Sequence, residues 1–183
     1  MTTWLPDTLL AGHVTHTWVL EGAEHVADEP DIPLTATLVR RGAVTHDRAL
    51  IYLHGWNDYF FQTHVSAWFE TQGFDFYALE LRRYGRNLQD GLVPGYISDL
   101  AEYEVELDEA IEVVRQDHPG VPITVAGHST GGLVGGGGGG PAGGGGGGGG
   151  RPPPAGGGGG GGGGRGSARG RGVAGPPVGR QKN

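Results

Sequence analysis

A serine with a glycine two residues away on either side follows a short apolar segment of the chain. Residues 127–131 read Gly-His-Ser-Thr-Gly and come directly after the apolar run 122–126. In a G-x-S-x-G pattern the serine occupies a tight turn between a strand and a helix, so the residues two before and two after it must be almost free of side chain. The hydroxyl then projects at a helix N-terminus, which stabilises developing negative charge. The spacing predicts that Ser129 is a nucleophile and that Gly127 and Gly131 form its turn.

A second segment with potential chemistry is His54-Gly55-Trp56, at the end of an earlier apolar run. Acyl transfer needs two backbone N–H groups that point at the oxyanion, and one of them usually belongs to the residue after the nucleophile. We expect Thr130 to supply that donor and Trp56 to supply the other. The pattern favours His54 as a structural turn residue over a catalytic base. The alternative to a nucleophile at residues 127–131 is a glycine-rich turn between strand and helix without chemistry.

The elements that must position these residues alternate between strands and helices. The residue pattern predicts strands at 14–20, 32–39, 49–53, 74–81 and 122–126, and helices at 63–72 and from about Ser98 to residue 117. In the second helix Leu100, Tyr103, Leu107, Ile111 and Val114 share one face, while acidic residues occupy the others and indicate a solvated surface. This alternation predicts an α/β fold with right-handed crossovers and a mainly parallel sheet.

Three motifs, in this order, resemble those of the α/β-hydrolases. They are Leu53-His54-Gly55-Trp56, residues 79–87 (Leu-Glu-Leu-Arg-Arg-Tyr-Gly-Arg-Asn) and the serine segment 127–132. The nearest branch is the serine aminopeptidase and lysophospholipase (monoacylglycerol-lipase-like) group, in which the middle motif usually reads Asp-Leu-Arg-Gly-His-Gly-Arg-Ser. The resemblance covers about residues 30–134. It implies hydrolysis of carboxylic esters or small amides through an acyl-enzyme on Ser129, with the backbones of Trp56 and Thr130 as oxyanion donors and no cofactor.

The chain departs from this family pattern after the serine. The family order is nucleophile, acid and then histidine, but the sequence contains no Asp, Glu or His after Ser129. Upstream histidines at positions 54, 64 and 118 are the remaining candidates for the base, although the fold of the family would not deliver them to the serine. A serine without its base is a poor nucleophile. We therefore expect only the N-terminal half of a hydrolase domain, catalytically incomplete, with an exposed sheet edge at the strand that ends near Ala126.

Composition divides the chain after Val134. Of the 40 glycines, 28 lie in residues 135–183, which carry six basic residues and no acid; residues 1–134 carry all 20 carboxylates and seven arginines, a net charge of −13. The division predicts a partial hydrolase domain at 1–134 and a disordered Gly/Pro/Arg-rich tail at 135–183. This composition favours a frameshifted or misread GC-rich gene. The alternative is an Arg/Gly segment that binds RNA, although the tail has no aromatic residue to stack on a base.

Several classes of protein are disfavoured. The sequence has no cysteine, no apolar run long enough for a membrane span and no basic, then apolar N-terminus, which favours a cytoplasmic protein. The acidic balance of residues 1–134 disfavours nucleic acid as a partner of that part. His13 and His16 lie on opposite faces of a predicted strand, so we expect no metal there. The predicted partner is a small ester or amide substrate.

Two further groups of residues have two interpretations each. Trp56 and the aromatic residues that follow it either line an acyl pocket or pack the first helix on the sheet; the others are Tyr59, Phe60, Phe61 and Trp68. Arg82, Arg83 and Arg86 either bind an anionic head group or belong to a structural loop. The leading hypothesis overall is a serine hydrolase fragment, and the alternative is a non-catalytic binding protein on a degenerate hydrolase scaffold whose tail provides the interaction with RNA or another partner.

Overall fold

A six-stranded sheet runs through the part of the chain that the structure describes, residues 2–137. In this computed structural model the strands are β1 (Leu5–Pro6), β2 (His13–Val19), β3 (Thr35–Arg41), β4 (Ala49–Leu53), β5 (Asp75–Glu80) and β6 (Ile123–Gly127). Their spatial order is β1-β2-β3-β5-β4-β6. Residues 138–183 lie outside the described residues, and the predicted disorder of the tail therefore falls almost entirely outside them.

The strands β5, β4 and β6 pair in parallel, as the alternation of strands and helices predicts. β4 is the middle strand of this parallel group, because the chain places β5 on one side of it and then returns to place β6 on the other. Its five residues are all apolar and four of them are buried, since both faces of the strand are covered. In such sheets ligands bind beyond the carboxyl ends of the strands where the strand order reverses, which here is the end of β4.

The other half of the sheet is antiparallel, so the prediction of a mainly parallel sheet holds only for β5, β4 and β6. β1 pairs with β2, β2 with β3 and β3 with β5, all in antiparallel register. No helix lies between β2 and β3, and without a crossover helix the chain returns in the antiparallel direction. The two-residue strand β1 is too short to give a periodic signal in the sequence. The fold is α/β with a mixed sheet.

Three α-helices flank the sheet: α1 (Thr63–Thr71), α2 (Glu104–Asp117) and α3 (Thr130–Gly137). The predicted start of α2 near Ser98 is wrong, because the α-helix begins at Glu104. A 3₁₀ turn over Leu100–Tyr103 precedes it, and Asp99 is the N-cap of that turn. The Asp99 carboxylate accepts a hydrogen bond from the Ala101 N–H. The Ser98 hydroxyl instead donates to Glu102. An ionised carboxylate is the stronger acceptor for exposed N–H groups at a helix start.

Helices cover both faces of the sheet and create two buried clusters. On one face α1 contributes Phe69 to a cluster around Leu50 of β4. On the other face α2 contributes Val114 and α3 contributes Val134 to a larger cluster around Ile51. Leu50 and Ile51 are neighbours in sequence and belong to opposite clusters, as the pleat of a strand requires. The site at the end of β4 therefore rests on a strand that is fixed from both sides.

Two features at the end of the described chain bear on the sequence predictions. Within residues 2–137 the neighbour of β6 is β4 alone, so its other side is an open edge that carries no charged residue and no proline. The helix α3 continues to Gly137, three residues into the segment predicted as the tail. Within the described range, every helix is too short or too polar to cross a membrane.

Candidate active site

Ser129 lies in the turn between β6 and α3 and has a left-handed backbone conformation. Its φ angle is 55°, a region that costs a residue with a side chain about 1–2 kcal/mol. β6 ends at Gly127 and α3 begins at Thr130, so only two residues form the connection. Ser129 is exposed to solvent. The tight strand–turn–helix geometry that the spacing predicts is therefore present.

Gly127 and Gly131 permit this turn because backbone atoms occupy the space that their side chains would need. A Cβ atom on Gly131 would lie 2.5 Å from the carbonyl oxygen of Leu53 and 2.7 Å from that of His54. A Cβ atom on Gly127 would overlap the backbone of Gly131. The N–H of His128 donates to the Leu53 carbonyl at 3.0 Å and ties the turn to the end of β4. Any larger residue at either glycine would push these backbone segments apart.

The N–H groups of the two predicted oxyanion donors, Trp56 and Thr130, form no hydrogen bond within residues 2–137. Thr130 is the first residue of α3, where an N–H has no partner inside the helix. Trp56 follows Gly55, and a Cβ atom on Gly55 would lie 3.4 Å from the Cβ of Ser129. An oxyanion hole needs backbone donors that are not already bound, and these two N–H groups meet that condition.

His54 is buried, and both of its ring nitrogens are engaged. Its Nε2 accepts a hydrogen bond from the Leu81 N–H at 3.2 Å, so Nδ1 carries the proton and donates to the Gly55 carbonyl at 2.8 Å. Burial lowers the pKa of His54, which keeps the ring neutral. The ring thus joins the ends of β4 and β5. His54 is the structural turn histidine of the two alternatives, with no lone pair left to act as a base.

The other upstream histidines do not serve Ser129 either. The Nε2 of His118 is 3.1 Å from the Tyr77 hydroxyl and 3.4 Å from the Asp75 carboxylate. Asp75 begins β5, so His118 lies at the amino ends of the parallel strands, the edge opposite Ser129. His64 is exposed in the first turn of α1. Across residues 2–137 neither histidine forms a hydrogen bond with Ser129.

The three arginines after β5 are bound to carboxylates. Arg82 donates to Glu106 at 2.6 and 2.7 Å, Arg83 donates to Glu29 at 2.9 and 2.6 Å, and Arg86 donates to Asp7 at 2.5 Å and also to Glu80. Arg82 and Arg83 are buried, and their partner carboxylates have no exposed surface. Charge-assisted pairs of this kind leave no guanidinium available for an anionic head group. The geometry favours the structural interpretation of this loop.

Glu80 joins the two loops that flank the site, a role that the sequence does not reveal. One oxygen of its buried carboxylate accepts a hydrogen bond from the Phe60 N–H at 3.1 Å, and the other accepts from the Arg86 N–H at 3.1 Å. Burial raises the pKa of Glu80. Its contacts hold the loop after Trp56 against the loop after β5. The one signal in the sequence is that Glu80 takes the position of the Asp in the family motif.

Asn87 fixes the loop after β5 from its other end. Its side-chain oxygen accepts hydrogen bonds from the hydroxyls of Thr35 and Thr37 at 3.0 and 2.7 Å. Its side-chain nitrogen donates to the carbonyl oxygens of Glu80 and Leu81 at 2.8 and 3.3 Å. An amide can donate and accept at once. This buried residue therefore forms hydrogen bonds with β3, with the last residue of β5 and with the loop that follows β5. The departure from the family's serine at this position is structurally accommodated.

The aromatic residues after β4 divide between the two interpretations. Phe60 is buried and packs in the cluster beneath α1. The other four are exposed: Trp56 (61%), Tyr59 (39%), Phe61 (52%) and Trp68 (56%). The Trp56 ring packs edge-on against Tyr84 of the neighbouring loop, with ring centroids 6.2 Å apart. Trp56 follows Gly55, which packs against Ser129, so its exposed ring provides apolar surface near the serine, whereas Phe60 has the packing role.

The side chains that could ligate a metal are spread over the described part of the chain. Within 2–137 no three His, Cys, Asp or Glu side chains are grouped so as to hold a metal ion. His13 and His16 both lie in β2, three residues apart, so their side chains leave opposite faces of the strand. The His13 ring contacts the Ala11 carbonyl, and the His16 ring contacts the Thr3 carbonyl.

The fold and the turn define the class of this protein as an α/β-hydrolase. Residues 45–135, which span β4 to α3, match the family described as serine aminopeptidase, S33. This stretch, 91 of the 183 residues, is therefore similar to that family of α/β-hydrolases. No curated protein matches the sequence of the chain.

Solved structures similar to the chain include three esterases. A cold-adapted esterase from an Arctic intertidal metagenomic library has a TM-score of 0.44 and 14% identity, with 73% of this chain and 58% of that chain covered. An esterase of Pyrococcus furiosus has a TM-score of 0.44 and 19% identity, with coverages of 61% and 43%. An acetyl xylan esterase from Paenibacillus sp. R4 has a TM-score of 0.42 and 18% identity, with coverages of 73% and 47%. The chain spans about half the length of these proteins.

Proposed function

We propose that Ser129 is the nucleophile of a hydrolase that acts on carboxylic esters, such as lysophospholipids or monoacylglycerols, or on small amides. The observation that carries this proposal is the left-handed backbone of Ser129 between β6 and α3, with the free N–H groups of Thr130 and Trp56 beside it. A protein retains such a strained residue when the surrounding structure demands it, and strain of this kind clusters at functional sites. The family match over residues 45–135 supports the same chemistry.

The reaction proceeds through an acyl-enzyme. The Ser129 oxygen adds to the carbonyl carbon of the substrate, and the N–H groups of Thr130 and Trp56 hold the negatively charged oxygen that forms. Collapse of this intermediate expels the alcohol or amine and leaves the acyl group on Ser129. Water then hydrolyses the acyl-serine and releases the acid.

Both steps need a base that takes a proton from the attacking oxygen, and within residues 2–137 no side chain forms a hydrogen bond with the Ser129 hydroxyl. Both ring nitrogens of His54 are engaged, and His118 lies at the opposite edge of the sheet. The sequence also contains no Asp, Glu or His after Ser129. We therefore propose that this chain by itself turns over esters several orders of magnitude more slowly than an enzyme with a complete triad.

Hydrolysis of p-nitrophenyl butyrate tests both parts of the proposal. We expect the wild-type chain to exceed Ser129→Ala only slightly, and added imidazole to widen that difference because it replaces the missing base. Ser129→Ala with the same imidazole corrects for hydrolysis by imidazole alone. Fast turnover without imidazole that Ser129→Ala abolishes would contradict the catalytic incompleteness. Identical rates of the two proteins, with and without imidazole, would contradict the role of Ser129.

A further inference from the structure

A cavity of about 410 Å³ opens next to the loop that carries Trp56. Its apolar wall comes from three segments that are far apart in sequence: Leu9 near the N-terminus, Tyr59 after β4, and Tyr84, Leu88 and Pro94 after β5. The volume lies within the range of small-molecule sites, and an apolar lining is typical of them. None of these residues has a role in the chemistry proposed above.

A short stretch of backbone, residues 55–57, connects the cavity with the surroundings of Ser129. Asn57 lines it and is two residues after Gly55, so the Cα atoms of these two residues are at most about 7 Å apart. Gly55 in turn packs against Ser129. Tyr84, which lines the cavity, also contacts the Trp56 ring. The cavity therefore begins one residue beyond the proposed oxyanion donor.

The charges around the cavity disfavour an anionic ligand. Arg83 and Arg86 line it, but Glu29 binds the first, and Asp7 and Glu80 bind the second. Asp58 adds a further, partly exposed carboxylate to the lining. Two guanidinium groups thus face four carboxylates, and carboxylates remain in excess even when Glu80 is protonated. A second anion would be repelled and would find no free guanidinium.

We propose that this cavity is a subsite that binds one substituent of the substrate carbonyl, and that it accepts small apolar groups that are neutral or positively charged and excludes carboxylates and phosphates. Its assignment to the substrate rests on the proposed function. Within the ester class, the subsite selects neutral glycerol-type or simple alkyl and aryl esters over lysophospholipids. Binding itself requires no turnover and is therefore measurable on the chain as it exists.

Three ligands of nearly equal size and different charge test the selectivity: benzyl alcohol, benzylamine and benzoate. We expect saturation-transfer NMR on the full chain to give dissociation constants on the order of 1 mM for the first two, as their size allows, and binding of benzoate at least about tenfold weaker. Equal binding of all three, or preferred binding of benzoate, overturns the proposed selectivity.

Three variants, one of them a control, locate the site. Leu88→Trp should fill the cavity and weaken benzylamine at least about fivefold, whereas Val19→Trp, an exposed position on β2 outside the lining, should leave it unchanged. Asp58→Asn should reduce the preference for benzylamine over benzoate at least about threefold. Circular dichroism verifies that each variant is folded. Binding that Leu88→Trp does not affect overturns the site.

Failure of the proposed subsite can be distinguished from failure of the proposed function. Labelling of Ser129 by a fluorophosphonate without binding of benzyl alcohol or benzylamine would overturn the subsite and leave the nucleophile intact. Binding in the cavity without any enhanced reactivity of Ser129 would overturn its assignment to a substrate.

Discussion

The α-carbon of Gly131 lies against the carbonyl oxygen of Leu53, so that a single added methyl group would sit 2.5 Å from that oxygen. This contact presses the first turn of α3 onto the end of β4 and sets the direction in which Ser129 points. Gly131 is fully covered, whereas its neighbour Gly132 is exposed and would carry a Cβ atom 3.8 Å from the nearest carbonyl oxygen, that of Gly127. The two adjacent glycines therefore provide a matched pair of positions.

Gly131→Ala should destabilise the protein by at least about 2–3 kcal/mol, because the methyl group forces β4 and α3 apart. Gly132→Ala should be neutral or stabilising by up to about 1 kcal/mol, because alanine is the better helix former. Chemical denaturation of the three proteins measures the difference. Similar losses of stability in both variants would show that the close contact at Gly131 is not what constrains the turn.

Ser129→Gly should raise the free energy of unfolding by about 0.5–1 kcal/mol, because glycine adopts a φ of 55° without strain. Ser129→Ala keeps the strain and should leave stability almost unchanged. The two variants both lack the hydroxyl, so their difference in thermal midpoint isolates the backbone term. Ser129→Gly that is no more stable than Ser129→Ala would argue against a strained serine.

Acid should weaken the protein through Glu29. A hydrogen bond from Arg83 is the main reason that the pKa of Glu29 falls to about 2, from an ordinary value of 4.5. The contribution to stability is therefore complete above about pH 4.5 and is lost as the pH falls towards 2. The shift corresponds to about 3 kcal/mol. Urea unfolding at several pH values measures this slope.

Glu29→Gln is the control for that prediction. The amide cannot titrate, so this variant should be less stable than the wild type at pH 7 and should show a flatter dependence on pH between 5 and 2. An unchanged slope in Glu29→Gln would assign the acid sensitivity to other carboxylates.

Removing one partner of the buried pair Arg82 and Glu106 should lower the free energy of unfolding strongly. Replacing both residues by apolar ones should lower it much less. Arg82→Met alone leaves an unpaired buried carboxylate and should destabilise the protein by about 3–5 kcal/mol. The double variant Arg82→Met with Glu106→Leu should recover most of that loss, since it buries no charge. Denaturation of the single and double variants forms the test. A mild effect of Arg82→Met would indicate that Arg82 is less buried in solution and would reopen its role in binding anions.

Local patterns in the sequence predict the part of the fold around the serine. Residues 49–53 form a strand with those bounds because an uninterrupted apolar run needs cover on both faces. The turn at Ser129 follows from the spacing of Gly127 and Gly131, whose missing side chains are a property of the sequence itself.

Local sequence patterns do not predict contacts between residues that are far apart in the chain. The Glu29 carboxylate binds Arg83, 54 positions away, and Glu80 holds the Phe60 N–H, 20 positions away. Neither separation corresponds to the period of a helix or a strand, so a periodic pattern in the sequence does not predict either pairing. The antiparallel half of the sheet likewise depends on pairings between strands with no helix to mark their direction. For the same reason the arginines after β5 look free in the sequence and are bound in the structure.

We propose that the turn and the two backbone donors activate Ser129 even without a catalytic base. Incubation of the full chain with a fluorophosphonate, followed by peptide mass spectrometry, compares Ser129 directly with Ser98, an exposed serine of the same chain. We expect phosphonylation of Ser129 at least about 100-fold faster than that of Ser98, since oxyanion stabilisation alone retains a large part of the rate enhancement. Modification of Ser129 no faster than Ser98 would contradict it.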